Sequence, residues 1–98
     1  MVEIIFSDFA IEDINSIAEY IALDSPFYAS NFVDGVFERT YQLEEFPDSG
    51  KITPESENKN IRELNYGNYR IIYELMSKSQ IVVLRVLHGA RNISNEDF

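Results

Sequence analysis

The fold is decided by residues 60–91, NIRELNYGNYRIIYELMSKSQIVVLRVLHGAR. This stretch contains three apolar runs rich in β-branched and aromatic residues, at 61–64, 69–76 and 81–87. The polar segments between them, 66–68 and 77–80, consist of residues that tolerate turn geometry. Such a pattern predicts three strands joined as a meander.

Strand pairing determines which side chains share a face of this sheet. If the second hairpin closes around the bond between Lys78 and Ser79, residues whose numbers sum to 157 lie opposite each other, so Ile72 faces Arg85. A one-residue slip would reverse the assignment. The face without full charges, which the rest of the protein should cover, would hold Tyr69, Ile71, Tyr73, Leu75, Val82, Leu84, Val86 and His88. The other face would hold Arg70, Ile72, Glu74, Met76, Ile81, Val83, Arg85 and Leu87.

The position of Arg62 depends on the first turn. A three-residue turn at 66–68 places Arg62 opposite Ile72 on the charged face, whereas a two-residue turn of Gly67 and Asn68 shifts the register by one.

The upstream half predicts a strand and two helices. Residues 2–6 are short and β-rich, and Ser7 or Asp8 can cap a helix of about four turns that follows. Ser25 and Pro26 end that helix and begin a second one, which stops near Phe46. The two helices should form an antiparallel hairpin that buries its apolar stripe on the sheet. Residues 47–60 are polar and predict a long loop.

Composition predicts one soluble, unexported domain over residues 1–98. The chain has no cysteine, no basic leader and no long apolar run, so disulfides, thiolate metal sites and membrane spans are not expected. One histidine and scattered acids predict neither a metal site nor a cofactor. The net charge is −9, divided into −10 for residues 1–60 and +1 for residues 61–98, and it opposes direct binding of nucleic acid.

The pattern REL…YRIIYEL…VVLRVLHGAR resembles the carboxy-terminal half of the RelE/ParE superfamily of toxins from bacterial toxin-antitoxin pairs, and is most similar to the ParE branch. The resemblance continues upstream in AIEDINSIAEYIALDSPFYASNF and LEEFPDSGK, and covers most of residues 3–91. It implies an α+β fold with a short N-terminal strand and an antiparallel helical hairpin packed on a mainly antiparallel four-stranded sheet.

The same resemblance implies a cytoplasmic toxin of a type II toxin-antitoxin system, of the kind used in plasmid stabilisation. Members of the ParE branch poison DNA gyrase by binding it, and a cognate ParD-like antitoxin neutralises them. A homodimer and a heterotetramer with the antitoxin both remain open.

Two alternatives stay open. The first is a RelE-like, ribosome-dependent mRNA endoribonuclease that uses Arg62, Arg70 and Arg91. The lysines and the tail tyrosine or histidine of that branch have no counterpart here at 61–64 or 94–98, which disfavours the ribonuclease. The second alternative is a non-toxic binding module with the same fold.

The candidate site is the arginine-bearing face, for which we expect binding rather than catalysis. His88 could act as an acid or base at its strand end, but the register turns it toward the helices. The arginines either grip an anionic partner or pair with nearby acids. An acidic antitoxin segment could cover the exposed apolar residues of this face while its carboxylates engage the arginines. The predicted antitoxin-binding residues are Arg62, Arg70, Arg85, Arg91, Ile72 and Val83.

Overall fold

The computed structural model describes residues 2–91 and 93–94, so the last four residues of the polar tail lie outside the described part. Two helices pack on one face of a five-stranded sheet, which confirms the predicted fold class. The fifth strand, β2, is two residues within the segment predicted as a loop. The elements are β1 (Glu3–Phe6), α1 (Asp8–Ala22), α2 (Pro26–Tyr41), β2 (Lys51–Ile52), β3 (Ile61–Tyr66), β4 (Tyr69–Ser77) and β5 (Gln80–His88).

The order of strands across the sheet is β1-β5-β4-β3-β2. β1 runs parallel to β5, and all other neighbouring strands are antiparallel. Between Phe6 and Asp8, Ser7 caps α1 by accepting a hydrogen bond from the amide of Ala10 at 3.1 Å. Ser25 caps α2 in the same way, with the amide of Tyr28 at 3.2 Å, and Pro26 occupies the first turn. Both predicted caps are confirmed.

A β-bulge in β5 changes the predicted faces. Ile72 pairs with Arg85 as expected, but Tyr73 pairs with Val83, so Leu84 is an extra residue without a partner of its own on β4. Because side chains alternate along a strand, the extra residue turns Ile81 and Val83 toward the helices. The prediction that Ile81 and Val83 lie on the arginine face is therefore wrong.

The first hairpin also resolves the position of Arg62. Tyr66 pairs with Tyr69, so the turn has two residues, and Gly67 adopts a φ of 56°, which favours glycine. Arg62 consequently pairs with Tyr73 and lies on the helix side of the sheet. The alternative in which Arg62 joins the other arginines is wrong.

The main core lies between the helices and the sheet. α1 contributes Ala10 and Ile14, and α2 contributes a buried stripe that continues into a 3-10 turn at Gln42–Glu44. The buried residues of this core are Ala10, Ile14, Phe32, Val36, Leu43, Leu64, Ile71, Tyr73, Ile81, Val83 and Val86.

The opposite face of the sheet, called here the outer face, is also covered. Ile61, Ile72 and Leu87 form a second buried cluster, against which Leu84 and Ile93 pack. Of the apolar residues predicted to be open on the charged face, only Met76 is exposed. The prediction of a broad uncovered apolar face is wrong, because the bulge buries part of that set under the helices and Ile93 shields the rest.

The long loop between α2 and β3 is anchored to the sheet. The Tyr73 hydroxyl donates a hydrogen bond to the carbonyl of Pro47 at 3.0 Å and accepts one from the amide of Gly50 at 2.9 Å. A Cβ on residue 50 would lie 2.5 Å from that hydroxyl and 2.8 Å from the carbonyl oxygen of Glu63, so the close approach requires glycine. Burial raises the pKa of the Tyr73 phenol, which therefore remains a hydrogen-bond donor.

The bulge can be tested by deleting Leu84. The deletion would restore a regular register and turn Ile81 and Val83 away from the helices, so we expect loss of the cooperative unfolding transition in urea. Leu84→Ala keeps the extra residue and removes part of a half-buried side chain, and should cost only about 1–2 kcal/mol. Equal stability of the two variants would show that the bulge does not determine the faces.

Candidate functional site

The predicted arginine cluster is divided among separate internal contacts. Ile72 and Val83, predicted to lie beside these arginines, are both 0% exposed and point to opposite sides of the sheet. The structure therefore does not assemble the six predicted residues into one exposed face. The contacts that each arginine makes instead determine which ligands the surface can bind.

Arg70 is held between two carboxylates on the outer face. It donates to Glu63 from Nε at 3.0 Å and from Nη2 at 2.6 Å, and to Glu55 from Nη1 at 3.0 Å and from Nη2 at 2.8 Å. Paired, fork-like contacts of this kind are strong and directional. The side chains of Arg70 and Glu63 are only 12% and 3% exposed, so this is a largely buried network.

The charges of this network leave little attraction for a phosphate. Two carboxylates surround one guanidinium, and the Nζ of Lys51 lies 4.0 Å from Glu63. Hydrogen bonds from Arg70 lower the pKa of Glu55, so Glu55 remains ionised at neutral pH. The same contacts raise the pKa of Arg70. An anionic ligand would have to displace Glu55 and then approach Glu63.

Arg85 joins the sheet to α1. Its Nε and Nη2 donate to the carboxylate of Asp13 at 2.7 and 3.0 Å, and the amide of Val86 donates to the same carboxylate at 3.0 Å. The guanidinium also lies 5.9 Å from the centre of the Phe9 ring, within the range of a cation–π contact. Asp13 thus accepts a hydrogen bond from the backbone of β5 while it neutralises Arg85.

Arg62 and Arg91 make different contacts. Arg62 Nη1 donates to the carbonyls of Asp48 and Gly50, both at 3.1 Å, and so holds the start of the long loop. Its Nε is buried without a hydrogen-bond partner in the described part of the chain. Arg91 is exposed just beyond β5, and its amide donates to the carbonyl of His88 at 3.0 Å.

A cleft of about 390 Å³ at the β3–β4 turn is lined by the polar side chains of Tyr69, Arg70 and His88, among others. His88 is exposed rather than covered by the helices, and its ring meets Tyr69 edge to face at 5.5 Å. Its Nδ1 accepts a hydrogen bond from the amide of Ala90 at 3.1 Å, a contact that shapes the turn. Because Arg70 is engaged by carboxylates, the cleft offers no available guanidinium to a substrate phosphate.

Neither a metal-binding cluster nor a membrane-spanning helix is present in residues 2–91 and 93–94. Those residues contain no group of three or more histidine, aspartate or glutamate side chains positioned to hold a metal ion. No helix among them is long and apolar enough to cross a membrane.

One surface was missed by the sequence interpretation, which followed only the inward stripe of each helix. Around the connection between α1 and α2, four large side chains are solvent-exposed: Tyr20 (74%), Leu23 (82%), Phe27 (69%) and Tyr28 (65%). The signal was available in the sequence, because these residues are apolar yet fall outside the helical spacing of the core positions.

Removal of Arg70 should destabilise the fold through Glu63. Arg70→Met leaves a carboxylate that is 3% exposed without its main partner, and we expect a loss of about 3 kcal/mol or more in the free energy of unfolding. The double variant Arg70→Met/Glu63→Met removes both charges and should recover part of this loss. Urea denaturation of both variants measures the effect. Additive losses would mean that the pair is not coupled.

Glu55 should confer an acid-sensitive part of the stability. Its pKa is lowered in the folded state from 4.5, so its contribution is complete above that value and disappears as the pH falls through the folded pKa. Glu55→Gln should lose about 1 kcal/mol or less at pH 7, because Glu55 is 34% exposed. The difference from the unmodified chain should shrink at acidic pH, and Glu57→Gln, which removes an exposed carboxylate of the same loop, is the control for the change in net charge. A difference for Glu55→Gln that does not change with pH would contradict this role.

Comparison with solved structures finds the same fold in two toxin-antitoxin systems. The fold is similar to a structure described as the chromosomal ParDE toxin-antitoxin system from P. aeruginosa, with a TM-score of 0.73 and 22% identity over 90% of this chain and 96% of that one. It is also similar to the toxin-antitoxin complex RelBE2 from Mycobacterium tuberculosis, with a TM-score of 0.65 and 22% identity over 89% of this chain and 96% of that one.

These two structural similarities establish the fold alone. No curated protein sequence matches the chain. A family model described as the ParE toxin of the type II toxin-antitoxin system, parDE, matches residues 4–93. That match includes both helices and all five strands apart from Glu3, the first residue of β1. The chain therefore belongs to the ParE toxin family of type II toxin-antitoxin systems.

Proposed function

We propose that residues 1–98 form one ParE-like toxin domain that acts in the cytoplasm by binding and poisoning DNA gyrase. We further propose that a cognate ParD-like antitoxin, encoded beside it, neutralises the toxin. The observation that supports both proposals most strongly is the ParE family match over residues 4–93. Gyrase as the target and the antitoxin as the partner are inferred from the family.

The internal engagement of the arginines supports a binding mechanism over cleavage of RNA. A ribonuclease of the RelE branch needs cations available to the substrate phosphate and to its transition state. In this chain Arg70 is paired with Glu55 and Glu63, and Arg62 donates to loop carbonyls. The similarity to RelBE2 keeps a RelE-like ribonuclease as the second candidate, because it shows that the fold is shared with that branch.

The antitoxin partner is supported by the descriptions of the similar structures, both of which are toxin-antitoxin systems. Direct antitoxin contacts of Arg70 and Arg85, predicted from the sequence, stay a prediction. They now require that the partner's carboxylates replace Glu55 or Asp13, which already hold those guanidinium groups. Loss of either arginine would also change the stability of the toxin, so affinity must be compared on folded variants.

The gyrase proposal can be tested with purified components. We expect the chain in molar excess to inhibit supercoiling by DNA gyrase and to increase cleaved DNA, and we expect prior mixing with the product of the neighbouring gene to prevent both effects. Primer extension on messages from expressing cells is the parallel measurement for the ribonuclease. Codon-positioned cuts with unaffected gyrase would favour the RelE-like alternative. Harmless expression with tight binding of the neighbouring product would favour the non-toxic binding module.

A further inference from the structure

The exposed residues Tyr20, Leu23, Phe27 and Tyr28, called here the hairpin tip, form an apolar surface that the fold itself does not use. A single exposed apolar side chain is ordinary, but four large ones between residues 20 and 28 are typical of an interaction site. The rings of Phe27 and Tyr28 meet edge to face with their centres 5.6 Å apart.

The backbone beneath the hairpin tip is held by hydrogen bonds. The amides of Asp24 and Ser25 donate to the carbonyl of Ile21 at 3.1 and 2.9 Å, and the Ser25 cap then begins α2. A partner would therefore meet side chains on a fixed backbone, which lowers the entropy cost of binding.

The part of the chain that carries the hairpin tip is rich in acids. Residues 2–38 include eight acids and no lysine or arginine. In the described part of the chain, Asp13 is the only one of these acids in a salt bridge. Glu19 and Asp24, which flank the exposed side chains in sequence, are both solvent-exposed. A partner that covers the apolar residues must bring its own cations to match these carboxylates.

This charge pattern argues against several kinds of binding partner at the hairpin tip. A second copy of the chain would place two acidic hairpins against each other, where like charges are destabilising. Nucleic acid and anionic membranes are repelled for the same reason. A polypeptide segment with lysine or arginine around apolar anchors satisfies both parts of the surface.

We propose that the hairpin tip binds a cationic segment of the antitoxin, in which apolar side chains cover Leu23 and Phe27 while basic side chains meet Glu19 and Asp24. The proposal rests on the proposed neutralisation by an antitoxin. It reverses the charge expected from the sequence, where an acidic segment was predicted to engage the arginines. It follows from the acids that remain uncompensated on the helices, together with the arginines that are already paired.

The test is a calorimetric titration of the folded chain with the product of the neighbouring gene. Glu19→Lys and Asp24→Lys should each weaken binding by about tenfold or more, and Leu23→Ala by a similar factor, as for anchors at an interface centre. Glu45→Lys changes the net charge equally but lies beyond α2, and should alter affinity by less than about twofold. The affinity of the unmodified chain should fall as salt increases, and less so in the lysine variants.

Chemical protection gives an independent measurement. The chain has no cysteine, so Leu23→Cys and Glu45→Cys each introduce one site for maleimide labelling. Complex formation should slow labelling at residue 23 by about tenfold or more and leave residue 45 nearly unchanged, because buried hot-spot positions exclude solvent.

The outcomes separate this inference from the proposed function. If the Glu19, Leu23 and Asp24 substitutions leave a tight affinity unchanged, or if the lysine substitutions strengthen it, the cationic docking site is overturned. The proposed neutralisation by an antitoxin would still stand. Equal weakening by Glu45→Lys would also overturn it, because the effect would then be one of net charge. Absence of binding by the unmodified chain would overturn the proposed neutralisation and this inference with it.

Discussion

The extra residue at Leu84 determines how the whole sheet is used. N-terminal to the bulge, Ile81 and Val83 point into the core beneath the helices. C-terminal to the bulge, Arg85 donates a hydrogen bond to Asp13 of α1. The carboxylate of Asp13 thus accepts hydrogen bonds from both the guanidinium of Arg85 and the backbone amide of Val86 in β5. The bulge thereby couples the packing of the core to the attachment of the first helix.

Much of the positive charge of the chain is engaged in internal hydrogen bonds. Arg39, Arg62, Arg70 and Arg85 each donate hydrogen bonds to acceptors within the chain. The clearly exposed cations are few, and include Lys59, Lys78 and Arg91. Since internal pairs present no net attraction to a ligand, the surface is more acidic in effect than the spacing of arginines in the sequence suggests.

The sequence allowed the elements and caps to be predicted because their causes are local. Ser7, Ser25 and Pro26 act within one helical turn, and the β-rich runs needed only alternation and turn residues to be recognised. The bulge could not be predicted, since residues 81–87 form one continuous strand-like run with no glycine, proline or polar break at Leu84. The acids that pair with the arginines could not be predicted either. Glu55 reaches Arg70 from a loop without periodicity, and Asp13 reaches Arg85 from 72 positions away in the chain.

The fold is shared by proteins described as ParDE and RelBE2 systems, so the fold alone does not decide between binding and cleavage. The distribution of charge bears on which kinds of molecule this surface attracts. A polyanionic substrate meets repulsion at long range from the helices and, at short range, a guanidinium already held by Glu55 and Glu63. A protein partner meets exposed aromatic and aliphatic side chains on a fixed backbone, surrounded by acids that a basic segment can match. This surface therefore favours contact with a basic protein segment over contact with a polyanion.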